Sequence, residues 1–192
     1  MVEVGVEISQ IDEGGNMGTV TINGAAIQDM AQRALAFSAQ KTALSTVDEA
    51  KRSIAEGNCV VCGYLRYALS KEIGEYLGTI DTSVQGVYVY EPEYAAGALH
   101  VDSTGLGRNR GVNLIVSVDR KNAALNSIVG SLEDAVRDGV KPLLCAKANG
   151  SCYAVDVKVV DVDELASRRG YGALVSSLYA PPVQLWARGD LA

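Results

Sequence analysis

The stretch from Val112 to Ala148 constrains the fold of this chain more than any other. Val112 to Val118 is an apolar run rich in β-branched residues, and Leu143 to Ala148 is a second apolar run. Between them lies a helical pattern that we expect to end at Gly139. Its apolar residues share one helix face: Leu125, Ile128, Val129, Leu132 and Val136. The order strand, helix, strand predicts two parallel strands joined by a right-handed crossover.

The next turn is predicted at Asn149-Gly150, which lies between two apolar runs. Such a pair favours a type I′ turn, because both central residues of that turn need positive φ. Ser151 to Val160 would then be the returning strand of a hairpin. In this register Cys145 and Cys152 face the same side of the hairpin as diagonal neighbours, without a disulfide.

Two further strands are predicted at the start of the chain. Residues 2–8 alternate between apolar and polar or small side chains, which is typical of a strand with one buried face. Gly18 to Ile22 has a similar pattern and follows a turn signal at Gly14-Gly15-Asn16. We expect a hairpin or a pair of neighbouring strands here.

Three helices are predicted between Ile27 and Gly78. The first carries an apolar stripe from Ile27 to Leu35. The second begins after Thr46, which forms a capping-box pattern with Glu49, and it ends at Gly57. The third runs to Gly78. Its apolar residues recur at helical spacing: Val61, Leu65, Leu69, Ile73 and Leu77.

The remaining elements are a strand, a short helix and a final pair of strands. Val84 to Tyr90 is rich in Val and Tyr, which favours a strand. Asp161 and Glu164 predict the start of a short helix by capping. Pro181-Pro182 separates two possible strands, the second of which ends at Trp186.

These elements predict a mixed α/β or α+β fold. It contains a mixed sheet with helices packed on it, one β-α-β unit and at least one β-hairpin. The length of 192 residues is sufficient for a substantial core without disulfides or a structural metal, and no linker-like stretch interrupts it. We therefore expect residues 1–192 to form one globular domain.

The sequence contains no apolar run of the roughly 20 residues that a membrane-spanning helix needs, and its first residues do not resemble a signal peptide. A cytoplasmic protein without a membrane partner is the expectation. The net charge of −6 opposes binding to the phosphate backbone of nucleic acids in general. A local basic loop can still bind a small anion.

A CxxC motif formed by Cys59 and Cys62 stands at the predicted start of the third helix. The N–H groups of a helix start stabilise a thiolate, so a redox role is one hypothesis. A metal site is a second, and it would need two more ligands, for which Cys145 and Cys152 are the candidates. Cysteine also packs as a small apolar residue, and this third interpretation involves no chemistry.

A glycine- and arginine-containing segment precedes Val112. Glycine allows backbone N–H groups to approach a ligand closely, and arginine suits carboxylate or phosphate oxygens. The predicted anion ligands are Gly105, Gly107, Arg108, Arg110 and Gly111. His100 lies just upstream and is a candidate general base. The alternative is a surface connection with solvated arginines.

Three functions therefore remain open from the sequence. The first is a protein, with or without enzymatic activity, that binds a small anionic molecule at Arg108 and Arg110. The second is a thiol-dependent redox or metal-binding protein that uses Cys59 and Cys62. The third is an assembly protein that forms homo-oligomers.

Overall fold

The computed structural model describes residues 6–11, 17–22, 24–90, 111–144, 154–178 and 181–189. Two strands near the N-terminus pair with each other, and four later strands form a mixed sheet. The strands are β1 (Val6–Ile11), β2 (Met17–Ile22), β3 (Val84–Val89), β4 (Val112–Val118), β5 (Val155–Asp161) and β6 (Val183–Ala187).

Within the described residues, six helices lie between these strands along the chain. They are α1 (Gly24–Lys41), α2 (Val47–Ala55), α3 (Cys59–Ile80), α4 (Ala123–Leu144), α5 (Val162–Ser167) and α6 (Tyr171–Val175). The predicted fold class is confirmed, since helices pack on a mixed sheet that includes a β-α-β unit. In the described part of the chain no helix combines the length and the apolar character needed to cross a membrane.

The four-stranded sheet has the order β5-β4-β3-β6. β4 pairs with β5 in parallel and with β3 in antiparallel orientation, and β3 pairs with β6 in antiparallel orientation. All residues of β4 are buried, which is typical of a parallel strand covered on both faces. β1 and β2 form the predicted antiparallel pair, with Val6 opposite Ile22, while the turn signal at residues 14–16 lies outside the described residues.

The predicted β-α-β unit is present, but its second strand was wrongly placed. Leu143 and Leu144 belong to α4, and the parallel partner of β4 is β5. A short apolar run does not distinguish a strand from a helix end, and Gly139 costs a helix only about 1 kcal/mol, so it does not end one. Asn149-Gly150, with the predicted hairpin around it, lies outside the described residues.

Two further boundaries differ from the prediction because of tertiary packing. α3 continues through Gly78 to Ile80, since Gly78 provides space for the indole ring of Trp186. Before Pro181, the described residues contain α6 where one of the final strands was expected. Gly172 of α6 lies directly against the backbone of Glu164, where no side chain would fit.

The main core lies between the long helices and one face of the sheet. β4 contributes every second residue to it: Val112, Leu114, Val116 and Val118. Val87 of β3 and Val157 of β5 lie on the same face, as their register with β4 requires. The helices α1, α2, α3 and α4 supply the opposite side of this core. In the strand order, β5 is an end strand of the described sheet.

Candidate functional site

The outer edge of β5 carries backbone groups that point away from the sheet. The N–H group of Val112 donates to the carbonyl of Ala154, so the peptide groups of Ala154 and of every second residue after it face β4. The residues between them face outward. Accordingly, the N–H group of Val157 donates to the Glu133 side chain, and that of Asp161 donates to Glu164.

A cleft of about 370 Å³ lies along this edge. α4 forms one wall, and Tyr171 of α6 stands at the other. The lining residues combine apolar and polar side chains: Lys121, Asn126, Val129, Gly130, Glu133, Val157, Lys158, Val159 and Tyr171. Gly130 contributes free space, because a Cβ atom added there would meet no atom within 4 Å. We call this site the edge cleft.

Glu133 places a carboxylate on the edge strand. Its Oε1 accepts the Val157 N–H at 2.6 Å, across from α4 to β5. Burial raises the pKa of Glu133, while the Val157 N–H lowers it and the negative charge of Asp156 raises it again. The overall direction is upward. Glu133 therefore holds a proton more readily than an exposed glutamate does.

Lys158 brings a positive charge to the cleft from the other face of β5. Its Nζ donates to Asp156 Oδ1 at 2.6 Å and lies 5.8 Å from the ring centroid of Tyr171. Partial burial lowers the pKa of Lys158, but the hydrogen bond and charge of Asp156 outweigh it and raise the pKa overall. The Lys158 side chain is 34% exposed, so part of it is open to a ligand.

A second ammonium group comes from Lys121, in the connection between β4 and α4. Lys121 Nζ lies 2.6 Å from Glu164 Oε2, and the side chain is about one-third exposed. Glu164 is itself fixed by the predicted capping box, in which its backbone N–H donates to Asp161 and its carboxylate accepts from the Asp161 N–H. Tyr171 is steadied by Tyr90, at 5.8 Å between ring centroids.

The CxxC motif lies away from this cleft, at the start of α3 as predicted. Cys59 is exposed, Cys62 is buried, and neither forms a disulfide. Asn58 caps the helix, and its side chain accepts from the N–H groups of Val60 and Val61. Those donors are therefore already engaged in capping. Cys62 belongs to the main core, which agrees with the packing interpretation for this residue.

The other predicted site residues are mostly outside the described residues. This applies to His100, Gly105, Gly107, Arg108 and Arg110, and also to Cys145 and Cys152. Gly111 is described, and it is buried immediately before β4. Within the described ranges, no three or more His, Cys, Asp or Glu residues form a group that would hold a metal ion.

The lining residues of the edge cleft were not identified from the sequence. Lys158 and Asp156 lie on the polar face of an alternating strand, where charged residues ordinarily contact solvent. Glu133 lies on a helix for which the sequence pattern indicated only an apolar stripe. No local motif joins these residues, because the crossover from β4 to β5 brings them together. Comparison with protein-family models, with curated proteins and with solved structures gives no match for this chain.

Proposed function

We propose that this chain is a ligand-binding protein that holds an anionic ligand in the edge cleft. The observation that carries the proposal is that two ammonium groups, Lys121 and Lys158, line one cleft. An ammonium group has three N–H donors, and each lysine uses one for its neighbouring carboxylate. Further donors remain for the oxygen atoms of a carboxylate or phosphate ligand.

The rest of the lining supports a ligand with both polar and apolar parts. Asn126 supplies amide groups, and Tyr171 supplies an aromatic face with a hydroxyl group at its end. Val129 and Val157 offer apolar contact on the α4 side. A site with a few polar groups on an apolar lining is typical of small-molecule pockets. The net charge of −6 favours a small or locally charged anion over a nucleic acid.

The other functional predictions stay open beside this proposal. Anion binding by Arg108 and Arg110, thiol or metal chemistry at Cys59 and Cys62, and homo-oligomer formation are untested predictions. A cytoplasmic location also stays a prediction.

Calorimetric titration with citrate, inorganic phosphate and adenosine monophosphate tests the proposal. The informative variant carries both Asp156→Asn and Lys158→Met. This double variant removes the ammonium group without leaving its partner carboxylate unpaired. A charge-assisted hydrogen bond contributes about 1.5 to 3 kcal/mol, so affinity should fall about tenfold or more.

The matched control is Lys71→Met, which removes an exposed lysine that pairs with Glu75 on α3. This variant should bind as the unmodified chain does. The proposal fails if none of the three anions binds, or if the loss of Lys158 and of Lys71 changes the affinity equally.

A further inference from the structure

We infer that the anion of the edge cleft is carried by an extended acidic peptide, which adds to β5 as a further strand. This inference rests on the proposed function, because it names the ligand class of the same cleft. Three features of the described residues lead to it: the direction of the backbone groups, the position of Glu133 and the shape of the cleft.

The backbone of β5 offers hydrogen-bonding groups on its outer edge. Val157 directs its N–H group away from β4 and into the cleft, where Glu133 receives it. Val159 is two residues further along, so its peptide groups point the same way. Both residues line the cleft. An edge with this arrangement pairs with another extended chain, as in the strand addition used by peptide-binding domains.

Glu133 occupies the position that a peptide carbonyl would take. Its carboxylate oxygen accepts the Val157 N–H at 2.6 Å, a short hydrogen bond for an N–H donor. An added strand would replace this side-chain acceptor with a backbone acceptor. Glu133 is therefore an internal competitor, and its removal should strengthen peptide binding.

The shape of the cleft favours one extended chain over a second copy of this protein. The Glu133 side chain extends from α4 to the outer edge of β5, and Tyr171 lies on the opposite face, beside Lys158. A slot between two walls admits a single strand. A second folded copy would bring its own α4 and α6 against these walls.

The two sides of the slot also specify a side-chain pattern. Val129 and Val157 lie on the α4 side, whereas Lys158 and Tyr171 lie on the other. Successive side chains of an added strand point to opposite sides. A peptide of alternating valine and glutamate should therefore place valine against α4 and glutamate near Lys158.

The test uses the full-length protein and an acetylated, amidated heptapeptide of alternating valine and glutamate. Two N-methylated forms of this peptide block alternate sets of N–H groups. Only the N–H groups that face β5 are needed for strand addition, so one form should lose about tenfold or more in affinity while the other binds normally. Equal affinities of the two forms would overturn the inference.

Two protein variants add an independent test. Glu133→Ala should bind the peptide several-fold more tightly, whereas Asp134→Ala, which removes the neighbouring exposed carboxylate, should leave the affinity unchanged. The pair Asp156→Asn with Lys158→Met should weaken the glutamate peptide and leave its glutamine counterpart unaffected. A loss of affinity in Glu133→Ala contradicts the competitor role and overturns the inference.

Separate outcomes distinguish this inference from the proposed function. If citrate or phosphate binds through Lys158 but the peptide does not, the peptide inference is wrong and the proposed function holds. If neither kind of ligand binds, both are wrong. Analytical ultracentrifugation measures the oligomeric state of the unmodified protein and of the Val159→Pro variant. If the unmodified protein is a dimer and the variant a monomer, the edge of β5 binds a second copy and the peptide inference is wrong.

Discussion

At the scale of single residues, Gly78 has a role that depends on a distant side chain. It lies within α3, and a Cβ atom at this position would overlap the indole ring of Trp186 in β6. Gly74, one turn earlier, lies close to Val87 and Trp186. Because these two glycines have no side chain, α3 can pack closely against the sheet. This packing outweighs the weak helix propensity of glycine.

Gly78→Ala should therefore destabilise the protein. Overpacking of this kind costs about 1–3 kcal/mol, which exceeds the gain of about 1 kcal/mol from replacing a helical glycine. Gly63→Ala on the same helix is the matched control, because no atom lies within 4 Å of its added Cβ, and it should stabilise the protein slightly. Urea unfolding of both variants measures the difference. A Gly78→Ala protein as stable as Gly63→Ala would contradict this packing.

Glu133 is expected to make stability depend on pH. Since its pKa is raised in the folded chain, the folded state holds this proton more tightly than the unfolded state does. The carboxylate then costs stability as it ionises. Relative to Glu133→Gln, the unmodified protein should lose stability as the pH rises above about 4.3, the ordinary pKa of glutamate, and through the raised pKa of Glu133.

Chemical unfolding at several pH values tests this expectation for Glu133. Gln keeps the acceptor for the Val157 N–H, so the hydrogen bond does not confound the comparison. Asp134→Asn is the control for removing one negative charge from the same helix. A difference in stability between the unmodified protein and Glu133→Gln that does not vary with pH would be incompatible with burial of this carboxylate.

At the scale of elements, Arg188 connects the end of β6 to the start of β3 and to the C-terminal end of α3. Its Nε donates to the carbonyl of Val84 at 2.8 Å, and its Nη2 donates to the carbonyls of Gly78 and Asp81, both at 3.0 Å. The guanidinium group also lies 5.4 Å from the Trp186 ring centroid. One side chain after β6 thus satisfies carbonyl groups at the end of α3 and at the start of β3.

Arg188→Ala should cost about 2 kcal/mol or more, because several carbonyl groups lose their donor together. Arg188→Lys should recover only part of this loss, since an ammonium group lacks the planar spread of a guanidinium group. Arg137→Ala is the comparison variant. Arg137 pairs with Asp134 on the surface, so its removal should change stability by less than about 1 kcal/mol. Similar unfolding midpoints for Arg188→Ala and Arg137→Ala would refute the bridging role.

At the scale of the whole molecule, β4 is the centre of the described fold. It pairs with β5 on one side and β3 on the other, and all its residues are buried. β6 is an outer strand of the sheet, and Val183 at its start is 58% exposed. We therefore expect a gradient of local stability from β4 to β6.

Amide hydrogen exchange should reveal this gradient. The amides of Leu114 to Ser117 should exchange only on global unfolding, and they should be protected about a hundredfold more than that of Gln184. NMR or mass spectrometry of the folded protein gives both rates. Protection of β6 equal to that of β4 would mean that the sheet order places β6 differently.

The sequence by itself determined the features that depend on neighbours along the chain. Helical periodicity placed α1 and α3, because side-chain direction repeats every few residues in a helix. Runs rich in β-branched and aromatic residues placed β3 and β4. Thr46 and Asp161 cap helices as predicted, since a capping side chain reaches only its own first turn. The mixed α/β class followed from the order of these elements.

Only the tertiary structure decided which elements and which distant residues contact each other. It paired β4 with β5, continued α4 past Gly139, and placed Trp186 against Gly78. It also assembled the edge cleft from α4, β5, α6 and the connection after β4, so that Glu133 and Lys158 line the same site. Glu133 and its hydrogen-bond partner Val157 are 24 residues apart in the sequence. Contacts between distant residues depend on how elements pack, and no local pattern encodes that choice.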